Sequence, residues 1–406
     1  MNIVNKPLKT ILKVLLLIII CIVAATLLMN FVYSLPLDRI IANAENSINV
    51  YSENIVKQWA GWTRYSHISN TSDEVMINEA ICRPYNSSIS NALLNPHYNV
   101  SLEGYFKGLS TGIENFGRYW HGYLAYIIPC LLFTNAGGIR MIMLIVQFLL
   151  IVTMVIELGK YNKIYSYIFA ITVLFINPIT TAISFEDADI FIIMMVFSII
   201  ILKYNEWLKK NDRYIMLFTL NGIAVAFIDF LTYPLVAWGI PLSIMLLINK
   251  DNFKNNFFKI LFMSIAWVSG YALMWAGKWV VASLFTSENI IADGINQVLF
   301  RTAGDSYTFL ETLEKIWTSI NDVPMLLLYV IAIVVLIIYA IKHKLKLSIN
   351  KDNLSEILPQ LIICISPFVW YFIVRNHSYV HPWFEYRELA VTVWTILIAS
   401  LKTFIN

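Results

Sequence analysis

Apolar runs dominate the chain. One covers residues 14–32, and ten more lie at roughly 119–134, 139–157, 164–182, 190–202, 214–230, 234–248, 260–285, 323–341, 357–374 and 389–404. Backbone amides in hydrocarbon have no water to bond, so runs of this kind cross a membrane as helices. Residues are 58% hydrophobic and 14% charged, whereas a soluble domain has about a quarter charged. The expected fold is therefore an all-α polytopic membrane protein. No long basic tract is present, which excludes nucleic acid as a partner. Cys21, Cys130 and Cys364 lie in apolar runs and Cys82 in a polar stretch, so neither a disulfide framework nor a CxxC metal site is available. The Ile-, Asn- and Lys-rich composition points to a bacterial plasma membrane, and the sequons at Asn70, Asn86 and Asn99 read as chance.

Charge placement sets the orientation. Lys6, Lys9 and Lys13 precede the first run, which is long enough to span and is followed by no small-x-small cleavage site. It reads as an uncleaved anchor with a cytoplasmic N-terminus. The basic connectors Lys160/Lys163, Lys203/Lys209/Lys210/Arg213, Lys250/Lys254/Lys259 and Lys342/His343/Lys344/Lys346 all belong in the cytoplasm. If 119–134 crossed the bilayer, every one of them would fall outside. Placed in the outer interface, that short run puts them all inside. The expectation is about ten spans with both termini cytoplasmic.

Five segments then face outward. They are the large loop and interfacial helix of 34–138, the hairpin Ser184–Asp189, the turn Asp229–Pro234, a second loop at 286–322 and an Arg/His-rich loop at 375–388. Helical patterns are expected at Leu37–Trp59 and Asp73–Ile81, with Trp62 among the loop's aromatic residues. The 286–322 segment, with Arg301, Asp305 and Glu311, could serve as a lid, which the sequence alone does not decide.

Most of the chain's unusual polar residues fall on this side. Asp73 and Glu74 follow Ser72, and such a pair can simply start a helix with Ser72 as N-cap. Glu186, Asp187 and Asp189 crowd one hairpin, where like charges need a cation or a basic side chain. Their oxygens suit Mg2+ or Mn2+ at Asp187 and Asp189. They could equally pair with Arg118 or Arg387, or only keep a turn hydrated. Arg118, Trp120 and His121 suit an interfacial anchor, though that explains the histidine poorly. Arg375, His377, His381 and Arg387 form a phosphate-binding candidate, since guanidinium forks match phosphate oxygens and a protonated histidine donates. Zinc at His377, His381 and Glu385 would need a helix that Pro382 interrupts. Asp229, Tyr233 and Arg301 are further cavity candidates.

The order Asp73-Glu74, four residues, Glu79-Ala80, a polar stretch, an apolar helix at 119–134 and Gly138-Ile139-Arg140 resembles the N-terminal half of the GT-C glycosyltransferases. The likeness is to the protein O-mannosyltransferase and aminoarabinose transferase branch and covers roughly residues 8–200. It is one of pattern. The distance from the first span to Asp73 is longer than usual, and Arg118–Gly122 replaces a proline-containing entry. The resemblance implies a GT-C-like fold and an inverting enzyme that takes a sugar from a polyprenyl-phosphate donor. The acceptor would be a cell-envelope glycopolymer or lipid-linked saccharide on the outer face. Asp73 would be the base that deprotonates the acceptor, with Glu74 beside it. Arg118, His121, Arg375, His377, His381 and Arg387 would steady the departing phosphate. A polyprenyl-phosphate glycosyltransferase and a flippase would act upstream. The competing readings are a flippase or transporter of a lipid-linked saccharide, which would line its spans with charge, and an envelope polysaccharide polymerase or ligase.

Overall fold

Hydrocarbon-length helices begin with the first run. In the computed structural model Pro7–Tyr33 is one helix. The structure describes residues 7–51, 56–58, 60, 63–109, 112–303, 306–344, 346–347 and 351–405. Lys6, Trp59, Trp62 and Asp305 lie outside the described residues. The fold is 80% helical, and its strands are short pieces in three two-stranded sheets.

Among the described residues five helices are long and apolar enough to cross a membrane: Leu8–Tyr33, Ala136–Tyr161, Phe253–Phe285, Val323–Lys342 and Asn353–Ile373. Lys163–Ile176, Arg213–Ile228 and Leu235–Ile248 are apolar but shorter. The run expected at 164–182 is broken for a local reason. Asn177 takes the left-handed conformation at φ 74° and closes one helix, and its side chain accepts from Thr180 N to open Pro178–Ile183. Ser184 then leaves helical geometry and caps Phe185–Leu208 through the Asp187 amide. In 119–134 only Leu124–Leu131 is helical. At 1.5 Å per residue it is about 12 Å long, under half of a ~30 Å core.

Polar contacts sort to two ends of the bundle. At one end Lys13 pairs with Asp212, Lys160 and Lys203 with Glu157, and Lys250 and Lys402 with Glu356. At the other, residues 70–81, 184–189, 229–235 and 375–388 meet. Between the ends, two sets of neutral polar groups bond across helices. Asn221 donates to Ala237 O and accepts from Trp267, while Ser243 joins Gln360 and Trp394.

The layer at the second end is continuous with the bundle. Met29, Val32 and Tyr33 of the first helix pack with Ile40, Met76, Ile77, Leu124, Ile128, Ile139 and Phe185. The stretch expected as one helix from Leu37 forms Leu37–Glu45 and Ile48–Tyr51, then the strand Val56–Gln58. The helix expected at Asp73–Ile81 begins earlier, as Asn70–Ile81. Ser72 therefore lies inside its first turn, and Ser69 occupies the N-cap position without a side-chain cap bond.

Candidate functional site

Asp73 sits in the first turn of Asn70–Ile81 and is fully buried. It is no solvated helix start. Its Oδ1 accepts from Phe185 N at 2.8 Å, Glu186 N at 3.2 Å and Ser184 Oγ at 3.4 Å, and its Oδ2 accepts from Arg140 Nη2 at 2.8 Å. One carboxylate thus joins the helix Asn70–Ile81 to the N-terminus of Phe185–Leu208 and to the N-terminal end of Ala136–Tyr161. Burial pushes the Asp73 carboxyl up, opposed first by the Arg140 charge and then by the two amides. Glu74 is half-buried and accepts from Leu102 N at 2.6 Å; burial raises its carboxyl too.

The hairpin acids are buried as well. Asp187 pairs with Arg387 at 2.8 Å, and Asp189 accepts from Tyr126 at 3.1 Å. Arg387 also donates from Nε to Ile176 O and from Nη1 to Trp383 O, and Tyr233 donates to Asp187 O. Glu186 takes a hydrogen bond from Ser72, and its Oε2 is buried with no partner. These contacts select the pairing with Arg387 over a hydrated turn. Among the described residues no group of three or more His, Cys, Asp or Glu side chains could hold a metal ion. His377, His381 and Glu385 therefore do not form such a group.

Asp229 follows the helix Arg213–Ile228 and folds back on its own loop, accepting from Leu231 N, Thr232 N and Thr232 Oγ1. This turn holds Leu231 at φ 81°, which is unusual for a branched residue. Leu231 O then accepts from His377 Nε2 at 2.6 Å. A carbonyl only accepts, so Nε2 carries the hydrogen and Nδ1 is free to take the bond from Arg301 Nη1. Burial and the Arg301 charge hold His377 well below the ordinary histidine range, and the same causes bring His381 down to about 4. Both rings are neutral near pH 7. His377 serves to orient Arg301. Burial pushes Glu385 well up, and it accepts from Trp370 and Ser378. Pro382 does interrupt the helix, which breaks into Arg375–Val380 and Pro382–Glu385.

His121 is held by geometry. It adopts φ 51°, and the next residue, Gly122, donates to Phe227 O at 2.8 Å. A Cβ at Gly122 would meet that carbonyl at 2.4 Å, so only glycine fits. His121 Nδ1 lies 3.1 Å from Glu79 Oε2, and Tyr123 donates to the same oxygen at 2.7 Å. His121 Nε2 faces Phe116 O at 3.0 Å. Lys278, near the end of Phe253–Phe285, reaches into this layer and donates to Ala92 O and Asn95 Oδ1. His121 is neither a surface anchor nor a free phosphate donor. Arg118 stacks on Phe116 and lies 3.3 Å from Asp293. Arg375 is half-buried, and its carbonyl accepts from Thr312.

The structure therefore draws residues 70–81, 184–189, 229–235 and 375–388 into one buried polar layer. The network is continuous in its electrostatics. Asp189 interacts with both Asp73 and Asp229, and Asp229 in turn with Glu385 and Glu388. Several buried side-chain atoms in the layer have no hydrogen-bond partner: the donors Arg301 Nε and Trp383 Nε1, the ring nitrogen His381 Nδ1, and the carboxylate oxygens Glu186 Oε2 and Glu388 Oε2. Trp383 packs on His381, whose ring also contacts His377. Sequence reasoning missed Glu388 and Trp383 as site members, and it missed Lys278, although a lone lysine in an apolar run is a visible signal. The chain matches no protein family, no curated protein and no solved structure.

Proposed function

We propose that this protein is an inverting glycosyltransferase of GT-C type that transfers a sugar from a polyprenyl-phosphate donor to an envelope glycan at the outer face. The observation that carries the reading is that Arg301, His381, Trp383, Glu186 and Glu388 each bury a side-chain polar atom without a hydrogen-bond partner at the end of the bundle where residues 70–81, 184–189, 229–235 and 375–388 meet. Buried polar atoms ordinarily find partners. Unpartnered N–H groups and carboxylate oxygens at one end suit a phosphate leaving group and a hydroxyl that must lose a proton. The acceptor oxygen attacks the anomeric carbon, the bond to the phosphate oxygen breaks, and the acceptor proton passes to a carboxylate. We assign that proton to Glu186 rather than Asp73, whose two oxygens are both engaged. Glu74, Asp229 and Tyr233 would shape the cavity, and Arg387 with Asp187 would hold it together.

The ten-span topology belongs to the same proposal. It is supported by the sorting of lysine pairs to one end and buried acids to the other, and by the shortness of Leu124–Leu131. The neutral character of Asn221, Ser243 and Gln360 between the ends disfavours a charged transport path. An upstream enzyme loading sugar on polyprenyl phosphate, and a flippase, follow from the donor's chemistry.

The test is a transfer assay. Membranes containing the full chain are given radiolabelled polyprenyl-phosphate sugars, and release of polyprenyl phosphate is followed with glycan labelling. Release that depends on the chain and is lost in Arg301→Gln supports the proposal. No release from any such donor, together with movement of a lipid-linked saccharide across vesicles containing the chain, would overturn it in favour of transport.

A further inference from the structure

The lysine-rich end of the bundle has a cleft of its own, of about 250 Å³. It lies where the inner ends of Phe185–Leu208, Arg213–Ile228, Leu235–Ile248 and Phe253–Phe285 meet, far along the helices from the buried acids. Its rim carries Lys209, Lys250 and Lys259 against one carboxylate, Asp251. Tyr214 and Asn249 make its floor, and Met245 and Met263 give it apolar walls.

The floor is fixed. Tyr214 donates to Asn205 Oδ1 at 2.6 Å, and Asn249 Nδ2 donates to the same oxygen at 2.9 Å. Lys259 is mostly buried and is held by Asp251 at 3.1 Å and by Asn249 O at 3.2 Å. The two outer lysines are held much less firmly. Lys209 is paired at 2.6 Å with Glu206, whose side chain is 81% exposed, and such surface pairs contribute little. Lys250 is 69% exposed and pairs with Glu356, which keeps Lys402 at 2.5 Å if Lys250 swings away. Two ammonium groups can therefore turn inward without leaving a buried acid unpaired. Asn249 Oδ1 is buried and lacks a hydrogen-bond partner; as an acceptor it suits a hydroxyl on the ester's carbon portion and not the phosphate oxygens, which only the lysines serve.

We propose that this cleft binds the phosphoryl group of an anionic phosphate ester, with Lys209 and Lys250 closing on its oxygens. Lysine binds phosphate as a mobile point charge, and the methionine walls accommodate the ester's carbon portion. A phospholipid headgroup of the adjacent leaflet and a soluble phosphate share this chemistry. Basic pockets between helix ends at the cytoplasmic side suit the first. The inference is independent of the sugar-transfer reading, because the two sites share no residue.

The experiment uses the full chain in non-ionic detergent at fixed ionic strength. Its thermal unfolding midpoint is followed during titration with short-chain phosphatidylglycerol, inorganic phosphate, or neutral short-chain diacylglycerol. A ligand bound only by the folded state raises the midpoint saturably. A rise with phosphatidylglycerol alone identifies a lipid headgroup, and a rise with both phosphates identifies a site open to soluble phosphate. In either case Lys209→Gln/Lys250→Gln should bind about tenfold more weakly or worse, as expected for losing charge-assisted contacts. Lys254→Gln, an exposed lysine outside the lining, should bind as the parent does. Lys250→Gln alone serves as the second variant should the double one fold poorly. No saturable rise with either phosphate, an equal rise with diacylglycerol, or unchanged affinity in the lysine variants overturns the proposal.

Discussion

Replacing Asp73 by Asn separates two accounts of the acid pair. In the structure Asp73 is a pin. Its carboxylate pairs with Arg140 at 2.8 Å and receives the Phe185 and Glu186 amides. An asparagine oxygen can keep the amides, but the charge opposite Arg140 is lost. A hydrogen bond to a charged group contributes about 1.5–3 kcal/mol, and the anion at the helix N-terminus contributes up to about 1 kcal/mol more. Asn70 Oδ1, 3.3 Å from Arg140, offsets part of this. The expected loss is about 3 kcal/mol, a large share of a typical 5–15 kcal/mol. Thermal unfolding in detergent should show a clear fall in midpoint, and Arg140→Gln in the Asp73→Asn background should add little. Glu186→Gln should unfold nearly as the parent does and lose about 100-fold or more in transfer, as for a missing general base. If Asp73→Asn unfolds like the parent while its transfer alone collapses, the pin is refuted and Asp73 is the base.

Three further outcomes follow from the same contacts. Burial and Arg301 lower His381 to about 4 from an ordinary 6.5, so its neutral form stabilises the fold above pH 6.5 and that contribution is lost as pH falls toward 4; the difference in unfolding midpoint between the parent and His381→Gln should shrink across that window, and a constant difference would contradict the assignment. Cysteines at exposed Lys107 and Glu314 should react with an impermeant thiol reagent in intact cells, whereas those at exposed Glu206 and Lys254 should not; labelling at Glu206 would reverse the orientation. Asp187→Asn should weaken folding by about 3 kcal/mol, because it strands a buried Arg387, and a chelator should leave transfer unchanged; chelator loss restored by Mg2+ or Mn2+ would return the hairpin to a metal role.

The apolar runs made the helical bundle legible, because hydropathy over nearly twenty residues depends little on context. The exclusion of 119–134 as a long helix was legible from its length. The break at Asn177-Pro178 could be read locally, since Asn takes the left-handed conformation and proline starts helices. The partners of Asp73 and Asp187 could not. Arg140 and Arg387 are 67 and 200 residues away, and which arginine meets which acid is decided by helix packing. The protonation of His377 was hidden for a similar reason. It depends on Leu231 O and Arg301, which the chain brings from two other segments. Composition placed His121 at an interface, but the clash that fixes Gly122 against Phe227 O is a property of the packed fold.

The most direct test of the central claim is binding of polyprenyl phosphate, the proposed leaving group, to the purified full chain by native mass spectrometry. Saturable binding that weakens about tenfold or more in Arg301→Gln and in Trp383→Phe is the predicted result, since each change removes one donor to the phosphate. Lys209→Gln/Lys250→Gln should leave this binding intact. No saturable binding, or affinity unchanged by either outer-layer variant, would contradict the account.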